Sequence, residues 1–127
     1  MALNIDAIAI APAGTSVAIM GRGQTGLDSH IDRIARKLGR EINDGNDADI
    51  LIQRQDGWAL ARKNVPVVMV GGAISDLGLI QTFLAGPYHG PDDELTDTIE
   101  LGGAAEDTRL YIEIARYFAD TRKYRGN

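Results

Sequence analysis

Asp49-Ile50-Leu51-Ile52-Gln53-Arg54-Gln55, then Asp56-Gly57, then Trp58-Ala59-Leu60-Ala61-Arg62-Lys63-Asn64 is the stretch on which the fold reading turns. Asp-Gly between two strand-like runs is the strongest local hairpin signal, because both central positions of a type I′ turn need positive φ. That turn sets Gln55 opposite Trp58, Gln53 opposite Leu60 and Leu51 opposite Arg62. The other face then carries Ile50, Ile52, Ala59 and Ala61. Apolar residues on both faces predict a sheet covered on both sides. Val67-Val68-Met69-Val70, entered through Pro66, reads as a third, fully buried strand of the meander.

Upstream, Ile5 to Ala11 alternates loosely and predicts a first strand, with a turn at Pro12-Ala13-Gly14. Thr15 to Met20 is the second strand, rich in β-branched residues. Leu27, Ile31, Ile34, Ala35, Leu38 and Ile42 recur at helical spacing and predict one amphipathic helix, closed by Asn43-Asp44-Gly45-Asn46-Asp47. Downstream, Ser75 is the expected N-cap of a helix over Asp76 to Leu84, and Gly86-Pro87 stops it. Residues 88–103 read as an excursion with a short extended piece at Thr98 to Leu101. Thr108 to Tyr124 is a last helix whose broad apolar face needs a dock. The expected architecture is an α/β (α+β) sandwich of profilin-like type: five antiparallel strands with helices on the faces. Residues 1–86 form its core, and residues 87–127 are a C-terminal extension in the same folding unit.

With 127 residues, 44% apolar and 24% charged, the chain has the size and composition of one globular domain. It contains no cysteine, which excludes disulfides, thiolate metal sites and cysteine nucleophiles. A formal net charge of −5 argues against a general nucleic-acid binder. No apolar run approaches the roughly 18 residues that span a bilayer. The first residues lack the basic and apolar regions of a secretory signal, so a cytoplasmic location is expected.

Gly21-Arg22-Gly23-Gln24-Thr25-Gly26 has the G-x-G-x-x-G spacing between a strand and a helix. Gly21, Gly23 and Gly26 are therefore the candidate phosphate-binding residues of a nucleotide or dinucleotide domain. Against that stand the flanking hairpins, which imply antiparallel pairing, and the lack of an acid ending the next strand. In a chain with 15 glycines the spacing also arises by chance, and the bland reading is a plain strand-to-helix connection. His89 with Asp92, Asp93 and Glu94 has the donors for a divalent cation, but adjacent loop acids are more often solvated. Asp44, Asn46, Asp47 and Asp49 lack the Gly and Glu of a calcium loop, so no metal is expected. His30 reads as a solvated side chain of the first helix. Ser16, Ser29 and Ser75 lack a nucleophile elbow, and no catalytic set is assigned. Arg33, Arg36, Lys37 and Arg40 form a stripe of cations on one helix face. Such a stripe is usually the wet side of a helix, but without an interleaved acid it suits an acidic protein partner.

Asp49 to Arg62, Val67 to Val70 and Asp76-Leu77-Gly78-Leu79-Ile80 together resemble the Roadblock/dynein light chain domain over about residues 5–85. The chain departs from that family in lacking its N-terminal helix and in extending past its end. The expected reconciliation is that the last helix packs where the first would lie. The resemblance implies a non-enzymatic module without cofactors, a homodimer that regulates or scaffolds a small Ras-like GTPase or a similar partner. It implies a dimer strand at Ile50, Leu51, Ile52 and Gln53, with the basic stripe near the two-fold axis. A structural assembly subunit, for example of a virus particle, is a third reading of the same features.

Overall fold

The computed structural model describes residues 1–126. Strand β1 (Ala2–Asn4) is followed by a long loop and then β2 (Ala18–Met20), helix α1 (Asp28–Lys37) and a 3₁₀-helix (Asp47–Arg54). Helix α2 (Gly57–Ala61), strand β3 (Val67–Gly71), helix α3 (Leu77–Ala85) and helix α4 (Gly102–Ala119) complete the chain. The sheet has three strands in the order β1-β3-β2. β1 runs parallel to β3, with Ala2 opposite Val67, and β2 runs antiparallel to it, with Met20 opposite Met69. A single parallel bridge between Val17 and Ile42 extends the β2 edge.

This mixed three-stranded α+β fold overturns the five-stranded antiparallel sheet expected from the sequence. The Asp56-Gly57 hairpin is the first casualty. Asp56 is the N-cap of α2, and the amides of Trp58 and Ala59 donate to the carbonyls of Gln55 (3.0 Å) and Asp56 (3.2 Å). Trp-Ala-Leu-Ala holds no β-branched residue, and Ala and Leu are the best helix formers, so local preference agrees. Gly57 is there for a different reason than a turn. It is buried, and a Cβ on it would lie 2.5 Å from both Val67 Cγ1 and Gln55 Oε1. The glycine lets α2 approach β3 closely.

Ile50, Leu51, Ile52 and Gln53 likewise form no strand, for they lie in the 3₁₀-helix. Its turns send Leu51 and Ile52 against the sheet and leave Ile50 three-quarters exposed. The strand expected at Ile5–Ala11 is also irregular, with Ala7 at φ 52° and Ile5 half exposed, while the real first strand precedes it. Turns replace the extended piece at Thr98–Leu101. Asp76 rather than Ser75 caps α3, its carboxylate accepting from the Gly78 (2.8 Å) and Leu79 (3.3 Å) amides.

The sheet is covered on both faces. Val17, Ile19, Val68 and Val70 point to one side, where α1 contributes Ile31, Ile34 and Ala35 and α4 contributes Leu110, Tyr111 and Ile114. Ala18, Met20 and Met69 point to the other, packed with Ala48, Ile74 and Ile80. The period of two along β2 and β3 sorts these residues between the layers. The apolar face of the C-terminal helix is thus docked, on the side of the sheet that it shares with α1.

Candidate functional site

The basic stripe is divided by the way α1 ends. Its last turn closes in a Schellman motif: the Gly39 amide donates to the Arg36 carbonyl and the Arg40 amide to the Ala35 carbonyl, both at 3.0 Å. Gly39 takes the left-handed conformation that this motif needs, at φ 75°. The chain therefore turns inward one residue before Arg40. Arg33, Arg36 and Lys37 remain exposed on the helix, whereas the Arg40 side chain is only 8% exposed. Arg40 does not belong to the stripe, contrary to the helical spacing read through it.

Arg40 instead meets α4 inside the molecule. Its Nη2 lies 3.1 Å from Asp107 Oδ1 and donates to the Thr15 carbonyl at 2.8 Å, and its Nε lies 3.6 Å from Glu106. Asp107 is 1% exposed and accepts the Gly72 amide at 2.8 Å. Burial pushes the Asp107 carboxyl above the usual carboxylate range, and the Gly72 amide and Arg40 offset this only in part. Tyr111, on the next turn, is raised as well, by burial first and then by the Asp107 charge. Gly71, at φ 151°, closes this nest; a Cβ there would sit 2.5 Å from Asp107 Oδ2 and 2.9 Å from the Tyr111 hydroxyl. The nest ties α4 to the loop before β2, to the end of β3 and to the turn after α1, which marks it as a structural clasp, although Arg40 Nη1 is buried without a hydrogen-bond partner.

Helix α4 brings new cations to the outer surface beside α1. Arg33, Lys37, Arg116 and Lys123 line one hollow with Tyr117, and Lys37, Arg109 and Arg116 line its neighbour with Leu38 and Ile112. Leu38 (39% exposed) and Ile112 (46%) form an apolar centre between these charges. Glu113 is the acid in both hollows, and it is paired with Arg116 at 2.8 Å. Arg33, Arg36, Lys37 and Arg109 form no ion pair among the described residues. Arg109 and Ile112 escape a sequence reading because their relation to α1 exists only once α4 has docked.

His30 is not simply solvated. It is half buried where α1 meets the end of α4, with its ring among Tyr117, Phe118 and Tyr124. Its Nδ1 lies 2.7 Å from the Tyr117 hydroxyl and 2.8 Å from Arg33 Nη2. These contacts fix Arg33 at the edge of the basic face.

Two of the three candidate glycine amides, those of Gly21 and Gly23, are already engaged. Gly21 N–H donates to Asp49 Oδ1 and Gly23 N–H to Asp28 Oδ2, both at 2.7 Å, and the Gln24 amide donates to the Gly21 carbonyl at 3.1 Å. Arg22 is held by Asp32 in a bidentate pair at 2.9 and 3.0 Å, a hydrogen bond that raises the guanidinium further. Gly26 takes a left-handed turn at φ 71° with open space around its Cα. A phosphate here would have to displace carboxylates, and no Lys or Arg lines the adjoining hollow. His89 stacks on Tyr88 at 3.8 Å while its amide donates to Asp93, and no group of three metal-ligating side chains occurs among the described residues.

Comparison with protein-family models, curated proteins and solved structures found no match to this chain. Among the described residues, no helix is long and apolar enough to cross a membrane.

Proposed function

We propose that this protein is a non-enzymatic interaction module that takes an acidic protein surface on the face formed by α1 and α4. The observation that supports this reading is the pairing of an exposed apolar centre, Leu38 and Ile112, with unpaired cations on both helices in a chain of net charge −5. An apolar centre ringed by like charges suits a partner that carries the opposite ring. Two copies of this face would set cation against cation, so the reading favours a different chain as the partner over self-pairing here. A small Ras-like GTPase, the partner implied by the Roadblock resemblance, is one member of that class. A neighbouring subunit of a larger assembly is another. The cytoplasm is the compartment that goes with this proposal.

The test is capture from extract of the native cell by the wild-type chain and by an Arg36→Glu, Lys37→Glu, Arg109→Glu variant, compared band by band. Partner recovery should fall by about tenfold or more while the melting temperature stays nearly unchanged, because all three side chains are exposed. Equal recovery by both chains would refute the reading. A purified small GTPase, loaded in turn with GDP and a GTP analogue, checks the narrower assignment.

A further inference from the structure

The sheet face opposite α1 and α4 carries a separate cavity of about 80 Å³. Its floor is formed by Met20 and Met69, which face each other in register on β2 and β3, and its wall by Ile80 and Leu84 of α3. Two charged residues line the same cavity: Asp6 from the β1–β2 loop and Arg54 from the end of the 3₁₀-helix. Both are exposed, and among the described residues neither makes an ion pair or a side-chain hydrogen bond. The loop that presents Asp6 holds Ala7 at φ 52°, a conformation that L-residues with a Cβ rarely adopt. Such strained positions cluster at ligand clamps.

An apolar hollow with a few convergent polar groups is the usual form of a small-molecule site. The volume limits the apolar part of the ligand. It is roughly half of the ~150 Å³ cavity that admits benzene, which suits a branched chain of a few carbons rather than an aromatic ring. The charges limit the polar part, because one cation and one anion that do not pair with each other complement a ligand carrying both signs. A guanidinium binds a carboxylate through two parallel N–H donors, and a carboxylate accepts from an ammonium. The methionine floor adapts to side chains of slightly different shape.

We infer that this cavity binds a free α-amino acid with a branched aliphatic side chain. The side chain lies on Met20 and Met69, Arg54 holds the carboxylate, and Asp6 holds the ammonium. The site lies on the other side of the sheet from the basic face and stands or falls independently of it.

Methyl NMR of the full chain labelled at methionine tests this directly, since the chain holds only three methionines. L-Leucine should shift the methyl signals of Met20 and Met69, leave that of Met1 in place, and raise the melting temperature by binding the native state. 4-Methylpentanoate, which lacks the ammonium, and isopentylamine, which lacks the carboxylate, should each bind about tenfold more weakly or worse. Asp6→Asn should weaken leucine but not 4-methylpentanoate, and Arg54→Gln should weaken leucine but not isopentylamine. Both replacements are at exposed positions, so the fold is retained and its far-UV spectrum checks this. Unmoved Met20 and Met69 signals at high millimolar leucine would overturn the proposal. Equal affinity for leucine and either single-charge analogue would overturn the amino-acid assignment.

Discussion

Asp107 shows how burial and pairing compete at a single residue. Its carboxyl is raised although a cation lies 3.1 Å away, so desolvation outweighs what Arg40 and the Gly72 amide return. Asp107→Asn, which still accepts the Gly72 amide but leaves Arg40 with only Glu106 as a counter-charge, should therefore cost less than removal of the whole side-chain head. Asp107→Ala leaves that amide and Arg40 without their partner and should cost about 3 kcal/mol; urea denaturation of both variants checks the contrast. The pH dependence follows from the direction of the shift. A carboxyl raised in the folded state binds more protons there than in the unfolded chain. Its stabilising contribution is complete below the unfolded value of 3.8 and is lost as the pH rises through the folded value. Wild type should thus gain stability relative to Asp107→Asn as the pH is lowered from neutrality toward about 4. Nearby, Gly71→Ala meets both a strained φ and the Asp107 carboxylate, and should cost about 3 kcal/mol by the same measurement.

At the scale of elements, the ends of helices decide what faces water. The Gly39 turn separates Arg40 from its apparent neighbours, and Gly39→Ala, forced into the left-handed region, should destabilise by about 1 kcal/mol. Asp76→Ala removes the acceptor for two amides at the start of α3 and should cost about 1 kcal/mol; thermal melts check both. The existence of α1, α3 and α4 was legible in the sequence, because amphipathic spacing acts locally, but α1 stops at the Gly39 turn and not at Asn43–Asp47, and α4 spans Gly102–Ala119 and not Thr108–Tyr124. The region 47–61 was not. Ile50-Leu51-Ile52 suits a strand as well as a 3₁₀ turn, and Asp56-Gly57 suits a hairpin as well as a helix start. In the sequence Gly57 signals freedom of φ, whereas in the fold its small size serves contact with Val67, a residue of the central strand. The basic stripe was legible only in part, since Arg33, Arg36 and Lys37 are set by helix geometry and Arg40 by the turn after it. Arg109, Arg116 and Lys123 join them through a packing contact that has no sequence period.

For the whole molecule, the sheet is covered on both sides, but through the continuously apolar runs Val17–Met20 and Val67–Val70 and not through the faces of the expected 49–62 hairpin, which forms no strand. The strand order was out of reach. Parallel pairing of β1 with β3 joins residues more than 60 positions apart, and no turn announces it. Helix α4 belongs to the core as fully as any upstream element. Fully burying Leu110, Tyr111 and Ile114 is worth roughly 1.5–3 kcal/mol for each side chain, comparable in sum with the whole stability of a domain. A chain ending before Gly102 should therefore lose cooperative unfolding and its near-UV spectrum while keeping much of its far-UV signal.

The bond from the Gly72 amide to Asp107 gives the molecule its own gauge. Gly72 follows the central strand, yet its proton is held by a carboxylate from α4, a helix that starts 30 residues later. Fraying of the strand does not expose it, and neither does a local opening of the loop, as long as α4 stays docked. Deuterium can replace that proton only when the C-terminal helix leaves the sheet, so the Gly72 amide should exchange among the slowest in the chain. Its rate reports the free energy that holds the C-terminal helix and the central strand in one cooperative body.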